Sequence, residues 1–212
     1  MMVESLTALC IAAGAGLLLA EYRDDARLRA VFKPVASLAF VGAGLAAGAL
    51  ESPMGTALLA GLVLSAAGDV FLIPRGERFF LAGIGAFALG HIAYSWAFLI
   101  GGIRFGVEAA SAAGVTLGAG LVFLGPLRGK LGAMAAPVAI YVLIISAMVG
   151  LSVGRYVAIG APQSLHLAIG AAAFAASDLF VARDRFDARA FINRAFGLPL
   201  YYGAQLLIAT AV

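Results

Sequence analysis

The chain has 212 residues, of which 63% are hydrophobic and only 12% are charged, and its mean hydropathy is +1.04. A soluble domain carries about 25% charged residues, so this composition excludes an ordinary soluble protein and predicts an integral membrane protein. The formal net charge is only +3, and the single Cys10 excludes an internal disulfide and a multi-cysteine metal site.

Eight apolar segments follow one another along the chain, and each is close to the roughly 20 residues that a spanning helix needs. The predicted spans are 3–21, 31–50, 55–73, 79–101, 107–125, 131–153, 163–182 and 190–212. No segment alternates with period two. The expected fold is therefore an all-α membrane protein with eight transmembrane helices in a single domain, residues 1–212. Glu4 and the lack of a basic residue before the first span argue against a cleaved signal peptide.

The basic residues are concentrated in alternate loops. Twelve of the fourteen Lys and Arg side chains fall in the loops after spans one, three, five and seven, and only Arg104 and Arg155 fall in the others. The positive-inside rule then predicts that the first set of loops is cytoplasmic and that both termini are non-cytoplasmic.

The sequence contains two pairs of similar segments separated by the same offset. "AAGDVFL" at 66–72 matches "AASDLFV" at 175–181, and "AFALG" at 86–90 matches "AFGLP" at 195–199 with the same offset. Chance similarity between Ala-rich helices is one explanation. Duplication is the other, and it predicts a parallel 4+4 repeat, with halves of about 1–103 and 104–212 related by an axis along the membrane normal.

Two of the eleven acidic residues, Asp69 and Asp178, lie within apolar spans. Counting from the predicted span ends places both about 6–8 Å from the cytoplasmic boundary, so the repeat would bring them face to face. Two carboxylates in a confined site of low dielectric cannot both ionise cheaply, which would leave one acid and one base. The alternative is that each is merely neutralised, with Lys33 or Arg183 as the counter-charge.

Other polar side chains lie deeper. His91 and Tyr94 share one face of span four, and His91 is expected about 18 Å inside the membrane, about 10 Å below the two acids. Span eight carries Tyr201, Tyr202 and Gln205 within one turn of each other. For each of these residues, helix packing and a role in a site both remain open. No spacing typical of a metal or nucleotide site occurs, and the basic residues follow the membrane surface, so no cofactor and no nucleic-acid partner is expected.

Five segments in chain order resemble the YhhN-like lysoplasmalogenase family. They are "VFKPVASL", "GLVLSAAGDVFLIP", "AGIGAFALGHIAYSWAF", "AIGAAAFAASDLFVARDRF" and "LPLYYGAQLLIA". The resemblance covers most of the chain, from span two to span eight. It implies hydrolysis of the vinyl ether bond of a lysoplasmalogen to a fatty aldehyde and a glycerophospho-ethanolamine or -choline. It also implies that Asp69 and Asp178 are catalytic, and that the polar membrane positions are Lys33, His91, Tyr94, Tyr202 and Gln205.

The predicted acid pair suits this chemistry, because vinyl ether hydrolysis needs a carboxyl group that donates a proton and a carboxylate that stabilises a cation or activates water. A lysophospholipid would place its phosphate near Lys33, Arg78 or Arg194. The expected location is the bacterial inner membrane, with the site in the cytoplasmic leaflet. A proton-coupled transporter of lipids or small molecules is the alternative function, since acids near a repeat axis also fit a carrier. A scaffold protein is a third class, for which the acid pair is superfluous.

Overall fold

The chain folds into a bundle of eight long helices, which correspond one to one with the eight predicted spans. The computed structural model describes the backbone of residues 1–212 and every side chain except those of Phe123, Leu124, Pro126 and Arg128; Arg128, counted above among the basic loop residues, therefore lies outside the described side chains. Along this backbone no strand is present. The helices are α1 (Met2–Tyr22), α2 (Ala26–Ala46), α3 (Pro53–Phe71), α4 (Glu77–Ile100), α5 (Val107–Leu124), α6 (Ala135–Ile159), α7 (Pro162–Phe186) and α8 (Phe191–Ala209).

The helix ends follow local capping chemistry more than hydropathy. Helix α2 begins at Ala26, five residues before the predicted span, because the Asp25 side chain accepts hydrogen bonds from the first backbone N–H groups of the helix. Ser52 caps α3 in the same way, and Pro53 occupies its first position. Helix α6 begins only at Ala135, because the preceding residues form short helical turns, Gly125–Leu127, Arg128–Leu131 and Gly132–Met134.

Six of the helices form a closed ring, and two lie outside it. Around the ring the order of contact is α2, α3, α4, α6, α7 and α8, and α8 packs back against α2. Helix α1 packs on the outside against α2 and α8, whereas α5 packs mainly against α6. The ring therefore encloses the space in which side chains of α3 and α7 are brought together.

Helices α3 and α4 approach closely because glycine lies at their contact. A Cβ atom added to Gly68 would lie 2.8 Å from the Phe87 ring, and one added to Gly61 would overlap the Tyr94 ring. Small residues at helix contacts are typical of packing within lipid, where hydrophobic burial between helices provides little driving force. This close packing fixes the face of α4 that carries Phe87 and Tyr94.

Six helical stretches in the described part of the chain are long and apolar enough to cross a membrane. They are α1, α2, α3, α4, the stretch Gly129–Ile159 that ends with α6, and α7. A further apolar helical stretch, Val107–Val122 in α5, is shorter. The protein is thus a multi-pass membrane protein by length and composition.

Candidate active site

A cavity of about 710 Å³ is lined by residues of the ring helices and of α1 and α5, and both intramembrane acids line it. Along α7 its wall extends from Ala172 to Asp187, so Asp178 lies near the middle of this run. On one side of Asp178 the wall carries charged side chains among apolar ones, and we call these charged residues the charged end; they are Glu21, Arg75, Asp184, Arg189 and Arg194. On the other side the wall is apolar, and we call this part the apolar arm; it comprises Val115, Ala119, Val142, Ala172, Ala175 and Ala176.

Asp69 is held by three donors from two neighbouring helices. Its Oδ2 accepts hydrogen bonds from Ser37 Oγ at 2.6 Å and from the Tyr201 hydroxyl at 2.8 Å, and its Oδ1 lies 3.3 Å from Lys33 Nζ. The side chain of Asp69 is only 3% exposed. Both carboxyl oxygens are therefore occupied, and the predicted counter-charge from Lys33 is confirmed.

Asp178 has a different set of partners and is more open to the cavity. Its Oδ2 accepts a 2.7 Å hydrogen bond from the Tyr141 hydroxyl of α6, and His91 Nε2 lies 3.6 Å away. The same His91 nitrogen lies 2.8 Å from the Tyr141 hydroxyl, so the three groups form one cluster. Arg183, the other suggested counter-charge, instead lies 3.8 Å from Asp187.

Aromatic rings connect the two acids. The Tyr201 ring, whose hydroxyl binds Asp69, lies 5.2 Å from the Phe174 ring, and Phe174 lies 4.5 Å from His91, beside Asp178. Among the described residues, no hydrogen bond joins the two carboxyl groups directly, and they share no partner. The structure thus brings both acids to one cavity, and their expected face-to-face contact stays a prediction.

The expected depth of His91 was wrong. Counting from span ends placed it about 10 Å below the acids, yet its Nε2 atom lies 3.6 Å from Asp178. The error lies in the helix end, because α7 continues to Phe186 and the Phe186 ring packs 5.7 Å from the Phe80 ring of α4. Phe186 and Phe80 therefore lie at one level. Asp178 is eight residues from Phe186 along α7, and His91 is eleven residues from Phe80 along α4, so their depths differ by only about 4.5 Å.

Four of the predicted polar residues lie behind the cavity wall: His91, described above, and then Tyr94, Tyr202 and Gln205. The Tyr94 hydroxyl donates a 2.7 Å hydrogen bond to Gln205 Oε1, and both side chains are fully buried. Tyr202 is buried as well, with its ring 4.9 Å from that of Tyr201. Since none of the last three side chains lines the cavity, they are placed to join α4 and α8 and to support Tyr201.

The two predicted phosphate-binding arginines are placed differently. Arg194 lines the charged end, where it lies 3.1 Å from Glu21 and 3.3 Å from Asp184. Arg78 does not line the cavity and lies on a separate surface depression made by residues 75–79 and 81. Only Arg194 of this pair can therefore reach a group in the cavity without a rearrangement.

Asp24, in the loop before α2, forms ion pairs with arginines of the charged end. Asp24 lies 2.7 Å from Arg29, 3.1 Å from Arg75 and 4.0 Å from Arg189. The hydrogen bond and charge of Arg29, with the weaker effects of the other two arginines, lower the pKa of Asp24 below its ordinary value. The loops before α2, α4 and α8 are thus held by one acidic residue.

Comparison with known proteins identifies the family. The model of the YhhN family matches residues 28–212. The chain belongs to the YhhN family. The resemblance inferred from the sequence segments is confirmed.

Lysoplasmalogenases are among the relatives of this YhhN protein. Lysoplasmalogenase TMEM86A of Bos taurus is 35% identical over 164 residues, which cover 76% of this chain and 66% of that protein. The lysoplasmalogenase of Mycobacterium tuberculosis is 33% identical over 202 residues, which cover 90% of this chain and 72% of that protein. The chain therefore spans slightly less than two thirds of the bovine relative's length. No solved structure matches it.

Sequence reasoning missed two hydroxyl donors of the YhhN site and undervalued a third. Ser37 follows Lys33 by one helical turn, so a shared face of α2 could have indicated it. Tyr201 was noted only as a neighbour of Tyr202. Tyr141 lies in an apolar helix, where a tyrosine is a common packing residue and gives no local indication of a site.

The groups in the wall of this YhhN cavity, with His91 directly behind it, are suited to proton transfer. Two carboxyl groups, one imidazole and two tyrosine hydroxyls lie within one connected set of contacts. Among the described side chains, no group of three His, Cys, Asp or Glu residues is placed to hold a metal ion. The chemistry available from these residues is general acid and general base catalysis.

Proposed function

We propose that this YhhN protein is a lysoplasmalogenase, which hydrolyses the vinyl ether bond of a lysophospholipid to a fatty aldehyde and a glycerophospho-ethanolamine or -choline. The observation that carries the proposal is the cavity, which both intramembrane acids line and which has a charged end and an apolar arm. A lysolipid has the same order of parts, with a charged headgroup, a reactive ether and a hydrocarbon chain. The names of the bovine and mycobacterial relatives support the same activity.

Asp178 is the proton donor in this proposal. A carboxylic acid donates from one O–H group, which needs an oxygen that is not already accepting hydrogen bonds. Both oxygens of Asp69 face donors. Among the described residues only Oδ2 of Asp178 has a partner, so its Oδ1 is available to hold a proton towards the cavity. The proposal takes Asp69 as the carboxylate, with the Lys33 ammonium 3.3 Å away as its counter-charge.

The reaction balances with these two residues alone. Asp178 transfers its proton to the β carbon of the vinyl ether, and the oxocarbenium ion that forms is stabilised by the Asp69 carboxylate. Water adds to the cation and gives a proton to Asp69. The hemiacetal then collapses, as Asp69 returns that proton to the leaving glycerol oxygen and the hemiacetal hydroxyl gives its own to Asp178. Both carboxyl groups end as they began, with one water consumed.

We also propose that all eight helices cross a bacterial inner membrane, with the charged end in the cytoplasmic leaflet and both termini on the opposite side. The distribution of twelve basic residues in alternate loops supports this orientation. The parallel 4+4 repeat is part of the proposal. It is supported by the ring, to which α2–α4 and α6–α8 each contribute three helices, while the first helix of each half lies outside.

The test is product release from purified protein in lipid nanodiscs. A lysoplasmalogen should yield aldehyde, whereas its saturated alkyl ether analogue should not, because only the vinyl ether forms a stabilised cation on protonation. Asp69→Asn and Asp178→Asn should each lower kcat by about 10²-fold or more. Absence of aldehyde with the wild-type protein would contradict the proposal, and proton-coupled flux of the same lipid in liposomes would favour a transporter instead.

A further inference from the structure

We propose that the apolar arm is a binding site for the hydrocarbon chain of the substrate, entered sideways from the membrane between α5 and α7. We further propose that the small side chains of Ala119 and Ala172 leave the room that the chain occupies. This inference rests on the proposed function, because it takes the reacting ether to lie beside Asp178. Beyond the proposed function, the inference names the part of the cavity wall that contacts the chain and the route by which the lipid enters.

The arm runs directly from the catalytic acid. On α7, Ala172, Ala175 and Asp178 are spaced by three residues and all line the cavity, so they lie along one face of the helix. Each step along this face is about 4.5 Å. Ala175 therefore lies one step from the acid and Ala172 two steps, on the side away from the charged end.

The arm stays open because its facing helices carry small side chains. Helix α5 contributes Ala119 and Gly120 to the wall, and α7 contributes alanines. Helix α5 is held by α6 instead: a Cβ atom added to Gly120 would lie 2.8 Å from Val142, and one added to Gly150 of α6 would lie 2.7 Å from Ala113. The two walls of the arm are thus fixed apart by the packing of a third helix.

The rim of the arm faces outward. Val115 on α5 is 72% exposed, and Ala119 and Ala172 are exposed as well. Thr116 is the one hydroxyl-bearing residue that α5 adds to the wall, and its hydroxyl donates to the Ala112 carbonyl oxygen at 2.8 Å within the helix. In a membrane protein an exposed apolar rim at this level meets lipid tails and not water, so an opening here admits a lipid chain.

The occupant follows from the other end of the cavity. The charged end carries Arg75, Arg189 and Arg194 together with two acids, and a hydrocarbon chain placed there would take these ion pairs out of contact with water, which is costly. A phosphodiester headgroup fits that end. With the headgroup at the charged end and the ether beside Asp178, the chain must leave along the apolar arm.

The experiment uses unreactive lipids, so that binding is measured separately from hydrolysis. Saturated alkyl ether lysolipids with chains of about 6 and about 16 carbons are titrated against the protein in nanodiscs, and the affinity gained by the longer chain reports the methylenes held in the arm. Ala172→Trp and Ala119→Trp fill the arm from opposite walls. Gly118→Trp is the matched control on α5, because Gly118 does not line the cavity and an added Cβ atom would meet nothing within 4 Å.

The wild type and Gly118→Trp should bind the long chain at least about tenfold more tightly than the short chain. Each arm variant should lose this preference while its short-chain Kd stays within about twofold. A preference retained in both arm variants, or an equal loss for both chain lengths, would overturn the inference.

A long-chain probe with a diazirine at its terminal carbon is a second test. Its adducts should fall within residues 115–120 and 172–176, and adducts elsewhere would contradict the arm. Aldehyde release by the wild type decides the proposed function independently of these results.

Discussion

Tyr201 of the last helix donates a 2.8 Å hydrogen bond to Asp69 of the third. The other acid is contacted from the opposite half of the chain, since His91 of α4 lies 3.6 Å from Asp178 of α7. Each acid is thus contacted by a ring from the helix that comes directly after the partner acid's helix. Such a crossed arrangement is what a parallel duplication would produce, and it supports the proposed 4+4 repeat.

The hydroxyl donors add a second correspondence between the halves. Ser37 of α2 donates to Asp69, and Tyr141 of α6 donates to Asp178. In each case the donor lies on the ring helix that begins its half. The halves differ at one point, since Asp69 also has the Lys33 ammonium, whereas Asp178 has no lysine or arginine within ion-pair distance among the described residues. This difference is what gives two acids of the same type different roles in the proposed reaction.

Tyr141→Phe should lower kcat about tenfold with little change in KM, because it removes the hydrogen bond that orients Asp178 without altering the cavity shape. Steady-state aldehyde release with the vinyl ether substrate measures both constants. Tyr156→Phe is the matched control on the same helix, since Tyr156 is 37% exposed and does not line the cavity. A change confined to KM would mean that Tyr141 contacts substrate and does not position Asp178.

Lys33→Met should destabilise the protein by about 3–5 kcal/mol, because it leaves the Asp69 carboxylate buried without its counter-charge. The double variant Lys33→Met with Asp69→Asn should recover much of that loss, since no unpaired charge then remains. Unfolding of the single and double variants in detergent gives the coupling energy. Additive losses would show that Lys33 and Asp69 do not interact as an ion pair.

Gly68→Val should destabilise the contact between α3 and α4 by about 1–3 kcal/mol, because the new side chain would collide with the Phe87 ring. Gly85→Val, on α4, is the control, since an added Cβ atom there meets nothing within 4 Å. Thermal unfolding of both variants is compared with the wild type. Similar melting temperatures for the two variants would indicate that the close approach is not maintained in the membrane.

Cysteine labelling tests the proposed orientation. Cys10 is fully buried, so it should give little background with an impermeant maleimide. A cysteine in place of Glu51, in the loop before α3, should react in intact cells. A cysteine in place of Glu77, at the start of α4, should react only after permeabilisation, because the proposed topology places it in the cytoplasm. The opposite pattern would invert the topology.

The sequence was informative wherever a residue conflicted with its surroundings. A carboxyl group within an apolar span is costly, so Asp69 and Asp178 could be recognised as candidate site residues without a structure. Lys33 could be suggested as a counter-charge because it lies at the start of a predicted span. These predictions rest on single-residue energetics, which do not depend on how the helices are arranged.

The contacts between helices could not be predicted in the same way. Tyr141 reaches Asp178 because α6 lies beside α7 in the ring, and nothing in the local sequence of α6 records that neighbour. The predicted depth of His91 was wrong for a related reason. Hydropathy locates a helix end only to within a few residues, whereas the packing of Phe186 on Phe80 fixes the level of the two helices relative to each other. Arg78, in the first turn of α4, follows Arg75 by only three residues, but of the two only Arg75 lines the cavity.

The cavity's contrast between its charged end and its apolar arm has a consequence for product release. The glycerophospho product is polar and carries the headgroup, so its route out is towards water past Arg75 and Arg194. The aldehyde keeps the hydrocarbon chain, so its route out is into the bilayer past Ala172. Each turnover would thus deliver its two products into different phases, and their separation by solubility would oppose the reverse reaction.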